Sequence, residues 1–164
     1  MRRVLRQRDI VADDWRHADE SDASDARALI YSFARWQAER EALRAADVRL
    51  GVRIGPADPI DALAADFDRL ALIAVEFRGI GEGRGYSQAR LLRGRYRFTG
   101  ALRAVGNIAQ DQVVFLARCG FDEFEIASGV ELELARAALD RYSVAYQRAD
   151  PHLVRPRTRA FLRL

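Results

Sequence analysis

Lysine is absent: all 27 basic residues are arginine. A Walker-type phosphate loop needs its lysine and is excluded. Cysteine occurs once, which rules out an intramolecular disulfide. One thiolate also cannot hold an iron–sulfur cluster by the usual four. The two histidines, His17 and His152, have no second histidine or cysteine at metal-ligand spacing, so no metal is expected. No G-x-S-x-G nucleophile motif is present. There is neither a secretory pattern nor an apolar run long enough to span a bilayer, so a cytoplasmic location away from membranes is expected. The net charge of +3 is too small to argue for a nucleic-acid partner.

What remains is an ordinary globular mixture, 49% hydrophobic and 31% charged, long enough for one domain with a real core. Charge is unevenly placed. The stretch Asp13–Asp25 is acidic, while "MRRVLRQR" and "RPRTRAFLRL" make both ends basic. Residues 1–24 read as irregular, with a strand around Val4–Leu5 or Ile10–Val11. Residues 25–145 read as a single α/β domain and 146–164 as a basic tail.

Leu29, Phe33, Trp36 and Leu43 recur near helical spacing, which predicts an N-terminal helix over 25–46. Strands are predicted at 48–54, 70–77, 101–106 and 123–126, and helices at 59–67, 87–96, 108–119 and 130–142. Asp58–Pro59 reads as a helix start. Asn107 with Gln110, and Ser128 with Glu131, read as capping pairs, and Gly120 as a helix end. Four βα units after a helix imply a mainly parallel sheet. One feature resists a sheet covered equally on both faces. Arg49, Arg53, Arg103, Glu123 and Glu125 alternate with apolar residues along the strands. A half-barrel with helices on one side, or an open sheet whose second face meets the N-terminal helix or a partner, accommodates this. A doubly wound sheet stays open.

Ligands of parallel sheets bind beyond the carboxyl ends of the strands. The longest turn predicted at that edge is "GIGEGRGY", residues 79–86, followed by a helix. It fits no dinucleotide fingerprint, and no cofactor motif occurs elsewhere. The glycines are read first as a steric turn, and second as an anion or partner site formed by Gly83, Arg84, Gly85, Tyr86, Ser87 and Arg90. Arg103 is read as a partner-facing or ion-paired arginine and Asn107 as a helix cap. Cys119 falls on the core side of a helix C-terminus and reads as an inert buried thiol.

From Gly83 to Glu125 the blocks "GRGYSQARLLRGRY", "LRAVG" and "DQVVFLARCGFDEFE" resemble the bacterial domain-of-unknown-function family 934. "ARWQAEREAL", "RLGV" and "DRLALIAVEF" extend the likeness upstream. Members of that family are typically encoded beside sulfite reductase and are often labelled probable oxidoreductases. The resemblance therefore implies an accessory or scaffold protein of assimilatory sulfite reduction, with sulfite reductase or a neighbouring reductase as partner, or a homodimer. The alternative it leaves is a small enzyme that binds an oxyanion around Arg84, Ser87 and Arg103 with a borrowed flavin or nicotinamide. The family usually has acids where this chain has Ala101 and Asn107, which weakens any acid–base role there.

Overall fold

The computed structural model describes residues 2–20, 26–79, 81–126 and 129–141. The predicted Ser128 cap and the basic tail lie outside them. Among the described residues eight strands form one sheet: β1 (Arg3–Arg6), β2 (Asp9–Ala12), β3 (Arg16–His17), β4 (Ala28–Ser32), β5 (Arg49–Ile54), β6 (Leu70–Phe77), β7 (Ala101–Gly106) and β8 (Glu123–Phe124). The order across the sheet is β2-β1-β8-β7-β6-β5-β4-β3. From β3 to β8 neighbours are parallel and follow the order of the chain, which rules out a doubly wound sheet. The β1–β2 hairpin adds to β8 antiparallel, so the sheet is mixed rather than purely parallel.

The N-terminal helix expected over 25–46 divides in two. Its first part is strand β4, and α1 spans Phe33–Ala45. "ALIYS" could serve either period, and the edge of β5 recruits it as a strand. The segment expected to be irregular carries both proposed strands, around Val4–Leu5 and Ile10–Val11. The connection after β5 is a 3-10 helix, Ile60–Asp66, rather than an α-helix. Asp58 does not cap it; its Oδ2 accepts from Gly55 N–H at 2.7 Å. α2 (Arg84–Arg90) runs into one π turn, Leu91–Arg95, and α3 (Val113–Arg118) and α4 (Gly129–Arg141) follow. Gly120 ends the α3 region with φ +107°, the left-handed conformation expected of a helix-terminating glycine.

Every helix among the described residues packs on one face. The larger core joins Val52, Ile73, Val75, Leu102 and Phe124 to Trp36, Leu63, Leu92, Leu116 and Leu132 from the helical connections. This follows from sequential parallel strands, whose crossovers all turn the same way. The opposite face carries a second core of Ala28, Ile30, Leu72, Ala74, Ala101 and Val105, sealed by Trp15. The sheet curls around it as a half-barrel. His17 on β3 and Glu125 just beyond β8 are five strand steps apart, yet His17 Nε2 lies 3.3 Å from Glu125 Oε2. Residues 13–17 thus cross the concave side as a strap. Trp15 packs against Gly51, where an added Cβ would sit 3.1 Å from its ring, and Arg49 stacks on the outer side. Among the described residues no helix is long and apolar enough to cross a membrane.

Candidate functional site

Arg103 is the centre of the polar concave face. It is fully buried, and every one of its five N–H groups finds a carboxylate. Nε and Nη2 donate to Glu123 Oε2 at 2.9 and 2.8 Å. Nη1 and Nη2 donate to the two oxygens of Asp13 at 2.9 and 2.8 Å, and Nη1 reaches Glu125 Oε2 at 3.3 Å. Burial works against the guanidinium charge, but Asp13 and Glu123 hold the group above its ordinary range. Arg6 adds a second cation on Glu123. Burial would also raise the Glu125 carboxyl; the hydrogen bond and charge of His17, then Arg103, bring it down to about 2. Arg103 is therefore ion-paired within its own chain, not partner-facing. Residues 13–17 cover the part of this face around Arg103.

The glycine turn lies on the other side of the sheet from Arg103. Arg84, Ser87 and Gln88 line a groove of about 290 Å³ between α2 and the 3-10 helix, with Asp58, Asp61 and Leu91 across and along it. Gln88 Nε2 donates to Gly55 O at 2.9 Å, while its buried Oε1 has no hydrogen-bond partner. The predicted group Gly83, Arg84, Gly85, Tyr86, Ser87 and Arg90 does assemble on α2 and its cap, but Arg103 and Asn107 do not join it. Asn107 is exposed and caps nothing: α3 begins six residues later, and Gln112 Oε1 accepts from Ala109 N–H in the intervening turn. The backbone of Asn107 instead donates to Phe77 O at 2.7 Å.

The glycines divide by role. A Cβ on Gly85 would stand 2.6 Å from the Phe77 ring, so its absence lets α2 lie on β6. Gly79, Gly81 and Gly83 have open space where a Cβ would go, and none adopts the left-handed conformation. The fold does not demand glycine at those three positions. What they do is leave the backbone bare at those three positions.

Tyr86 belongs to an aromatic ladder, Phe121–Phe77–Tyr86–Phe115, that reaches the surface at half-exposed Phe115. Burial raises the Tyr86 hydroxyl, with Cys119 and Asp111 adding to it. Cys119 is buried, and burial pushes its thiol up against the pull of Arg90 and Arg118. That is the environment of an unreactive thiol. Among the described residues no group of three or more histidine, cysteine, aspartate and glutamate side chains could hold a metal.

Sequence reading overlooked Arg93, which is buried in the π turn. It donates to Phe98 O, Gly100 O and Gly120 O, and pairs with Asp122 at 2.6 Å. Its signal was present: in a helix whose exposed face carries Arg84, Arg90 and Arg95, position 93 falls on the inward side.

Residues 51–154, more than half of the chain, match a family described as a bacterial protein of unknown function, DUF934. The chain belongs to this family. The match opens within β5, so the family region takes in the glycine turn, α2, Arg103 and Glu123, but not the strap or Asp13. No curated protein matches the chain.

Proposed function

We propose that this family member is a cytoplasmic accessory protein of assimilatory sulfite reduction that docks on an acidic surface of sulfite reductase or a neighbouring reductase through α2. The observation that carries the docking surface is a contrast in charge pairing. The arginines of α1 are all matched: Arg35 by Glu39, and Arg40 and Arg44 by Asp66. On α2 and its π turn, exposed Arg84, Arg90 and Arg95 have no carboxylate within 4.0 Å among the described residues. They flank Leu91, a large apolar side chain left 44% exposed. Unmatched arginines around an apolar centre suit an acidic protein surface, because guanidinium forks engage carboxylates with little desolvation cost. The backbone bared at Gly81 and Gly83 adjoins this stripe and lets a partner approach closely. The sulfite-reduction context is supported by the resemblance alone.

The test is a pull-down of the tagged full chain from its host grown on sulfate as sole sulfur source. The reductase is expected to co-elute and to be released by raised salt, since exposed charges are screened. The triple variant R84E/R90E/R95E is expected to fold normally and lose the partner. Absence of any association, together with normal growth of a deletion strain on sulfate, overturns the reading.

The second reading is a small enzyme holding an oxyanion at this edge. Arg84 and Ser87 sharing one groove favours it, although Arg103 contributes nothing there. Arg84→Ala with unchanged fold and unchanged anion binding removes it.

A further inference from the structure

Ser32, Arg53, Ala74, Arg103, Glu123 and Arg6 are successive register partners, one row across six strands on the concave face. Charge along this row is matched at one end only. Arg103 is surrounded by Asp13, Glu123 and Glu125, and Arg6 pairs with Glu123. Arg53 is half-buried and has no carboxylate, hydrogen-bond or ring partner among the described residues. The next acid along the face, Glu76, lies 3.6 Å from Arg78 instead. Ser32, the neighbour of Arg53 in the row, is also half-buried, and its hydroxyl does not cap α1. A half-buried guanidinium with no protein acceptor keeps its donors available to an anionic ligand. The position, near the carboxyl end of β5 in a parallel sheet, is where ligands enter such folds.

We propose that Arg53 and the Ser32 hydroxyl form a binding site for a small oxyanion of the sulfate or phosphate class, free or as the ester group of a metabolite. The guanidinium supplies a two-pronged donor to two oxygens, and the serine hydroxyl donates to a third. The site lies on the opposite face of the sheet from α2 and does not depend on the docking role: the R84E/R90E/R95E variant should bind the anion as the parent does.

The experiment is calorimetric titration of the full chain with sodium sulfate, sodium phosphate and a phosphate monoester, at ionic strength held constant with sodium chloride. Saturable one-to-one binding is expected, weakened roughly tenfold to a hundredfold in Arg53→Gln and a few-fold in Ser32→Ala, as loss of one charged and one neutral hydrogen bond requires. Tighter binding of the ester than of either inorganic ion would identify a metabolite group as the ligand, and the reverse a free anion. No saturable binding, or binding unchanged in Arg53→Gln, means an adventitious ion only and overturns the site. Should Arg53→Gln fail to fold, the Arg53 Nε–H resonance of the parent decides: it must shift on addition of sulfate, and a resonance that stays fixed overturns the proposal equally.

Discussion

Arg53 and Arg103 stand on the same face, two strands apart with Ala74 between them, and look alike in the sequence. Their surroundings separate them. Arg103 gathers Asp13 from 90 residues upstream and Glu123 from 20 residues downstream. Replacing it with methionine leaves three buried or half-buried carboxylates facing one another. Arg103→Met is expected to cost about 3–5 kcal/mol of stability, read as a lowered urea midpoint. Glu125 gives the same cluster a pH signature. Its carboxyl is held at about 2 in the folded chain against an ordinary 4.5, so it contributes stability above pH 4.5. That contribution is lost as pH falls from 4.5 towards 2, and it amounts to about 3 kcal/mol at most. Urea midpoints of parent and Glu125→Gln should therefore converge on acidification. Parallel pH profiles would show that Glu125 carries no such linkage.

At the scale of elements, the turn from β6 into α2 shows how one glycine-rich stretch serves two purposes. Gly85 is a packing residue, because the Phe77 ring occupies the space of its missing side chain. Gly83 is not, because a Cβ there meets nothing and the backbone is helical, φ −76° and ψ −15°. Gly83→Ala is expected to stabilise the protein by about 0.4–1 kcal/mol through the unfolded chain. Gly85→Ala should destabilise it by about 1–3 kcal/mol through overpacking. Thermal denaturation of the two variants checks the contrast. If Gly83→Ala also weakens capture of the reductase, the bare backbone belongs to the docking surface. The question the sequence posed, turn or site, thus has a different answer at each glycine. β5, β6 and β7 were legible because continuous or regularly interrupted apolar runs bounded by turn residues admit little else. β4 and the 3-10 helix were misread: five and seven residues are too few for periodicity to separate one geometry from another.

At the scale of the whole molecule, the strap joins the two ends of the sheet. Asp13, Trp15 and His17 lie outside residues 51–154, yet they cover the second core and neutralise Arg103. A fragment of residues 51–154 would keep most of β5 and all of β6 to β8 but expose Leu72, Ala74, Ala101 and Val105 and strand Arg103 without Asp13. It is expected to bind a hydrophobic dye and to lack a cooperative unfolding transition, whereas the full chain shows one. A fragment that unfolds cooperatively without dye binding would show that the strap is dispensable.

The sequence by itself determined the succession of apolar strands and polar helices from β5 onward, the family, and the clustering of arginines and glycines around α2. These are local properties, carried by neighbours within a dozen residues. The tertiary structure alone decided which charges are spent and which are free. Arg40 and Arg44 meet Asp66 across 26 and 22 residues, Arg93 meets Asp122 across 29, and Arg103 meets Asp13 across 90. Arg53, Arg84, Arg90 and Arg95 meet no carboxylate among the described residues. The reason is physical. An arginine's charge is the same everywhere, but its availability depends on what the fold brings within 4 Å, and no pattern along the chain encodes that distance.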